Sequence, residues 1–191
     1  MRLTQVALDR LHDISATFYS GKISRDMARS AVIDTIFDRL QCSRVSLWRF
    51  EGRPGDLSLL CFASKVAGAE LVTAESWLRE SEYRDYFNVL VGSAMYVSVD
   101  ALADASLQPM LDNYLLPNRV RSMLDAAFMV NGRAYGMVCC EQTDSIRRWR
   151  ASDVTALRAI VAKLAMLMAA APDEALWGSP SLPMSPIPTG T

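Results

Sequence analysis

Apolar residues recur at spacings of three and four near both ends of the chain and at every second position in its middle. That change of period separates helices from strands. Leu3, Ala7, Leu11, Ile14 and Phe18 form the stripe of an amphipathic helix that Gly21 ends. Ser24 is placed to cap a second helix, in which Met27, Ala31, Ile33, Ile36, Phe37 and Leu40 supply apolar positions up to Cys42. Arg44 to Glu51 and Leu57 to Ser64, separated by Gly52, Pro54 and Gly55, read as a hairpin of two strands. Between residues 74 and 118 the pattern loosens. A short helix around Glu80 to Leu90 carries Tyr83, Tyr86, Phe87 and Leu90 on one side, Met95 to Val99 makes a short strand, and Leu107 to Leu116 makes a helical turn or two with Pro109 near its start and Pro117 after its end. Such elements often wall a cavity. A last helix runs through Trp149 to Ala171, with Ser152 as its expected N-cap and Asp153 at the positive end of its dipole.

The run Ser122 to Glu141 holds a second hairpin, because Asn131-Gly132 between apolar stretches suits a turn with positive φ at both central positions. An unbroken register then sets Val130 opposite Arg133, Phe128 opposite Tyr135, Ala126 opposite Met137, Leu124 opposite Cys139 and Ser122 opposite Glu141. Alternation puts those last eight residues on one face and Met123, Asp125, Ala127, Met129, Ala134, Gly136, Val138 and Cys140 on the other. Both faces are apolar, so the sheet is expected in the middle of three layers. The face with Ala127, Ala134 and Gly136 suits close helix packing, and the face with large rings, Ser122 and Glu141 suits a pocket. Adjacent strand residues point apart, so Cys139 and Cys140 are not placed to ligate one metal or to close a relaxed disulfide with each other. Small buried hydrophobes is the plain reading of both.

At 191 residues the chain has room for one domain with flanking helices or a tail. Its 20 basic and 21 acidic side chains leave a net charge of -1, with no global field to gather nucleic acid or an anionic membrane. No segment is apolar enough to span a membrane and none has the form of a secretory signal, so a cytoplasmic location is expected. The four cysteines, Cys42, Cys61, Cys139 and Cys140, form no CxxC pair. The single histidine, His12, lies in the first helix, which withdraws support from a Ser/His/Asp triad or a histidine-based zinc site. No metal site and no catalytic residue is expected, and the chain is read as no enzyme.

The order Tyr114, Arg121-Ser122-Met123-Leu124-Asp125, Gly132, Gly136, Cys140-Glu141, Arg147 and Trp149 resembles that of GAF domains, the small-molecule sensor modules of signalling proteins. The likeness also draws on "RVSLWRFE", "YRDYFNVL" and "VSVDALAD" and runs from about Ser24 to Ala170. It implies an α+β fold: a central antiparallel sheet of five to six strands, terminal helices on one face, and short helices and loops forming a pocket on the other. It also implies a ligand-binding set of Tyr83, Tyr86, Phe87, Asp100, Tyr114, Ser122, Leu124, Cys139 and Glu141. The NKxxxF pattern of cyclic-nucleotide GAF domains is absent, as is a Cys-His pair for bilin attachment. The ligand, and any cofactor, stays open.

Three segments are therefore expected: an N-terminal helix over 1–22, a GAF-like domain over 23–171 and a Pro-rich flexible tail over 172–191. In the last helix Val154, Leu157, Val161, Leu164 and Met168 repeat like a coiled-coil seam, widened by Ile160 and Leu167. A homodimer through residues 1–20 and 152–171 is expected, with signalling to a separate output protein. The first functional reading is a sensor that binds a small molecule without converting it. Its rivals are an interaction module whose pocket is filled by its own side chains, and a cysteine-based redox switch or reductase.

Overall fold

The computed structural model describes residues 2–73, 76–170 and 176–177. Helices α1 (Arg2–Tyr19) and α2 (Arg25–Leu40) lead into the hairpin of β1 (Arg44–Arg53) and β2 (Asp56–Val66). A short β3 (Ser76–Arg79), helix α3 (Arg84–Ser93) and short β4 (Met95–Ser98) follow, then tight helical turns over Ala105–Met110 and Leu111–Leu115. The hairpin of β5 (Val120–Val130) and β6 (Arg133–Thr143) precedes the last helix, α4 (Ala151–Ala170). The strands make one six-stranded sheet in the order β3-β2-β1-β6-β5-β4 with antiparallel neighbours throughout. The expected α+β architecture is the one observed, with β3 as an edge strand that periodicity did not reveal. Only Leu78 of its four residues is buried, so it carries almost no alternation.

Local chemistry explains the helix ends. Ser24 caps α2 by accepting a hydrogen bond from Met27 N at 3.2 Å. Gln41 ends that helix in the left-handed region, at φ 53°, with its N–H donating to Phe37 O. At α4 the capping carboxylate is Asp153 rather than the hydroxyl of Ser152: Asp153 Oδ2 accepts from Arg150 N at 3.1 Å, the return half of a capping box.

Two apolar cores sandwich the sheet. On one face α1, α2 and α4 pack Leu11, Ile14, Val32, Ile33, Ile36, Leu157, Ile160, Val161 and Leu164 against Val45, Leu47, Leu124, Ala126, Phe128, Val138 and Cys140. On the other, α3 and the helical turns pack Tyr83, Tyr86, Phe87, Leu90, Leu107, Met110 and Leu115 against Trp48, Phe50, Leu59, Met123, Ala127, Met137 and Cys139. The coiled-coil-like seam of α4 thus faces the chain's own sheet: Leu157, Val161, Leu164 and Met168 are all buried there. His12 is exposed on α1.

The β5–β6 turn is as expected, with Asn131 at φ 51° and Gly132 at φ 76°. The register beyond it is not. Met129 pairs with Ala134, but Phe128 pairs with Gly136, which makes Tyr135 the extra residue of a β-bulge. One inserted residue shifts the pairing by one and turns β5 over relative to β6. Asp125, not Leu124, therefore lies opposite Cys139, and Met123, not Ser122, lies opposite Glu141. A second bulge, where Leu47 pairs with Ala63 and Trp48 with Cys61, makes Phe62 the extra residue of β2 and turns its ring to the helix side.

The tail assignment also needs amendment. Leu176 and Trp177 are buried in the helix-side core, at 2% and 0% exposure. The rest of 171–191 lies outside the described residues.

Candidate functional site

The cover-side face gathers the unusual chemistry. Asp125, from the middle of β5, is fully buried. Its Oδ2 accepts a hydrogen bond from the Tyr86 hydroxyl of α3 at 2.8 Å, while Oδ1 has no hydrogen-bond partner among the described residues. Burial pushes this carboxyl up to about 7; the Cys139 thiol and the Tyr86 hydroxyl beside it act in the opposite direction. The Tyr86 phenol is pushed well above its ordinary value by burial and by Asp125. A buried polar atom left unpaired costs about 1–3 kcal/mol, so Oδ1 requires an explanation.

A second polar group closes the far end of the same face. Glu141 is 0% exposed and ion-paired with Arg44, its neighbour across the β1–β6 register. Arg44 also donates to Asn118 Oδ1 at 2.8 Å and to the Tyr114 hydroxyl at 3.1 Å. The Tyr114 hydroxyl donates in turn to Glu141 Oε1 at 2.8 Å. Burial works against the Arg44 charge, but the Glu141 carboxylate outweighs it and holds the guanidinium above its ordinary value. The Glu141 side chain is thus committed to an internal network, neither open to a pocket nor in solvent.

The other residues implied by the family resemblance separate into groups. Tyr83, Tyr86, Phe87 and Cys139 lie together in the cover-side core, with the Tyr83 hydroxyl accepting from Asn113 Nδ2 at 3.1 Å. Asp100 sits half-buried after β4, 3.5 Å from Arg121 Nη2. Leu124 faces the helices instead, because of the bulge in β6. Ser122 joins neither core: its hydroxyl donates to Val99 O at 2.6 Å and accepts from Arg147 N at 2.8 Å, tying β5 to the segments after β4 and β6. Sequence reasoning missed Asp125, Arg44 and Asn118. A carboxylate inside the apolar run from Met123 to Val130 was itself the signal for Asp125.

The cover layer is densely occupied. Tyr86, Phe87, Leu90, Leu107 and Met110 are each at most 1% exposed, and the Tyr86 ring lies 4.9 Å from Tyr96 and 5.9 Å from Phe87. A surface cleft of about 340 Å³ is lined by Leu40, Gln41, Arg147, Arg148, Arg150 and Asp153 and shares none of these residues with the Asp125 cluster. Among the described residues no group of three or more His, Cys, Asp or Glu is arranged to hold a metal ion. No described helix is long and apolar enough to cross a membrane.

The profile of the GAF domain family matches residues 25–168. The chain belongs to the GAF domain family. Two similar structures are GAF domains from a cyanobacterial phytochrome. The phycocyanobilin-bound one has a TM-score of 0.66 and 16% identity, over 87% of this chain and 94% of that one. The phycoerythrobilin-bound one has a TM-score of 0.65 and 17% identity, over 85% and 94%. A far-red-absorbing dark-state structure with bound biliverdin follows, with a TM-score of 0.64 and 14% identity, over 87% and 99%. Among curated proteins none matches the chain. At these identities the structural likeness speaks for the fold; the family assignment rests on the profile.

Proposed function

We propose that this GAF domain is a regulatory sensor that binds a small molecule between the sheet and its cover layer without converting it. The observation that carries this reading is Asp125: a fully buried carboxyl on the cover-side face whose Oδ1 has no hydrogen-bond partner among the described residues. A ligand donor, such as an N–H, placed against Oδ1 completes it, with Tyr86 holding the other oxygen. Bilins occupy GAF domains of the same fold. Here Cys42, Cys61, Cys139 and Cys140 are all buried, so the ligand of this reading is held without a thioether bond.

The lack of enzymatic turnover belongs to the same proposal. Burial pushes the Cys61 thiol up to about 12 and those of Cys139 and Cys140 well above the ordinary value, which disfavours reactive thiolates. Slow thiol labelling that needs denaturant at all four positions is the expected outcome; one cysteine reacting fast with peroxide would restore the redox reading.

Signalling through α1 and α4 in a homodimer, onward to an output partner, completes the proposal. Leu3 and Val6 on α1 and Met166 on α4 are exposed at 74%, 58% and 68% and offer apolar surface for it. A monomeric mass in sedimentation equilibrium sinks that part.

The packed rings of the cover layer favour a second reading, an interaction module whose pocket its own side chains fill. Native mass spectrometry of the freshly purified chain and of Asp125→Asn separates the two. The sensor reading expects an extra mass on the wild type that the folded variant binds at least tenfold more weakly. A ligand retained equally by both moves the site away from Asp125, and an empty wild type favours the interaction module.

A further inference from the structure

Trp177 enters the helix-side core from a part of the chain beyond α4, into a slot that the β2 bulge at Phe62 and the β6 bulge at Tyr135 help to build. Phe62, the extra residue of β2, and Phe128, beside the β6 bulge, meet the indole edge-on at 5.3 and 5.2 Å. Gly136 forms the floor. A Cβ there meets Phe128 Cζ at 2.4 Å and Trp177 Nε1 at 2.5 Å, so glycine is what leaves room for the ring. The indole N–H donates to Trp48 O at 2.6 Å, which gives the slot a polar point of register as well as an apolar fit.

Two arginines stand at the rim. Arg29 Nε donates to Leu176 O at 3.1 Å, and Arg49 Nη1 approaches Trp177 O at 3.5 Å. The Arg29 guanidinium also lies 4.5 Å over the Phe62 ring. Burial first, then the charges of Arg25 and Arg49, lower its pKa to about 10, against the pull of Asp26. Both arginines also meet carboxylates of the fold, Arg49 with Glu51 at 2.5 Å and Arg29 with Asp26 at 3.7 Å, so they reach the segment's carbonyls as hydrogen-bond donors rather than as free charges.

We propose that the slot framed by Phe62, Phe128 and Gly136, with Arg29 and Arg49 at its rim, is a peptide-docking site. Its occupant is the chain's own Leu176–Trp177, held as a releasable latch rather than as fixed core. The three hydrogen bonds and ring contacts just described hold Leu176 and Trp177, and neither of these two residues lies in a strand or helix, so the latch opens without unpairing either. In sequence, Asp173 and Glu174 immediately precede Ala175-Leu176-Trp177. The site fits a tryptophan-bearing peptide whose backbone carbonyls meet the two arginines, and its place in the helix-side core couples occupancy to the helix layer. This does not depend on a ligand at Asp125.

The test labels the full chain with 5-fluorotryptophan, with Trp48, Trp77, Trp149 and Trp177 as reporters and Trp177 assigned through Trp177→Phe. Fluorine NMR in rising urea is expected to move the Trp177 signal to its solvent position before those of Trp48 and Trp149 change. An excess of the free peptide Pro-Asp-Glu-Ala-Leu-Trp-Gly is expected to move it in the same way while Trp48 and Trp149 stay in place. Loss of all three signals at one midpoint overturns the latch. A Trp177 signal that ignores the peptide at saturating concentration overturns the docking site.

Discussion

The two faces of one sheet are built from different materials. Against the three long helices the sheet presents Leu124, Ala126, Val138 and Cys140, and the buried polar side chains on those helices are few: Ser15, Thr35 and, at the α4 end, Asp153. Thr35 needs nothing from the sheet, because its hydroxyl donates to Ala31 O one turn back at 2.8 Å. Against the cover layer the same strands present Ser46, Asp125 and Glu141, and the cover answers with the hydroxyls of Tyr86 and Tyr114. Apolar burial stabilises at roughly 25 cal/mol per Å² on either face, but the cover face carries two carboxyl groups at 0% exposure, Asp125 and Glu141, where the helix side has Asp153 at the end of α4. The difference concentrates the fully buried carboxyl groups on the cover side.

The strongest way to break this contrast is Glu141→Ala, which leaves the Arg44 guanidinium buried and unpaired. Urea denaturation is expected to show a loss of about 3–5 kcal/mol. Replacing Arg44 and Glu141 together by Met and Leu should recover most of it. A small loss in the single variant means that water reaches this pair. On the helix side, Ile36→Ala is expected to cost about 2–5 kcal/mol through transfer and cavity terms while leaving any ligand affinity at the cover face unchanged. An equal loss of ligand affinity contradicts the proposed placing of the ligand at the cover face.

Asp125 sharpens the comparison through pH. Its folded pKa, about 7, lies above the ordinary 3.8, so the fold prefers the protonated form. Its stabilising contribution is complete below the unfolded value, declines as the pH rises, and is lost through the folded value. From about pH 5 to about pH 8 the wild type is expected to lose about 2–3 kcal/mol more than Asp125→Asn in urea titrations. Parallel pH profiles place the titration elsewhere. The smallest effect is expected at the β5–β6 turn, where Gly132→Ala forces a Cβ onto φ 76° and costs about 1 kcal/mol, read as a shift in the urea midpoint. A larger loss means the turn also sets the bulge at Tyr135.

Much of the fold was legible because its signals are local. Ser24 announces α2, Asn131-Gly132 announces a hairpin, and the ring spacing from Tyr83 to Leu90 announces a helix with one buried side. The site was legible in outline only. Tyr83, Tyr86, Phe87 and Cys139 share the cover-side core as expected, whereas Leu124 belongs to the opposite core and Ser122 braces β5 against loop backbone. The cause is a single extra residue in β6, which reverses the side chains of β5 from Ser122 to Phe128 relative to an unbroken register.

The sequence by itself determined the three layers, the order of the main elements and the membership of the family, because hydrophobic period, caps and turn residues act over a few positions. Tertiary structure alone decided where β6 bulges, which carboxyl faces the cover layer, that Glu141 belongs to Arg44, and that a tryptophan from the Pro-rich end of the chain fills the space above Gly136. Those outcomes depend on packing between residues far apart in the chain. Arg44 and Glu141 are 97 positions apart, and Trp48 and Trp177 are 129 apart. No local pattern carries such a pairing, since its energy exists only after the sheet has brought both partners together.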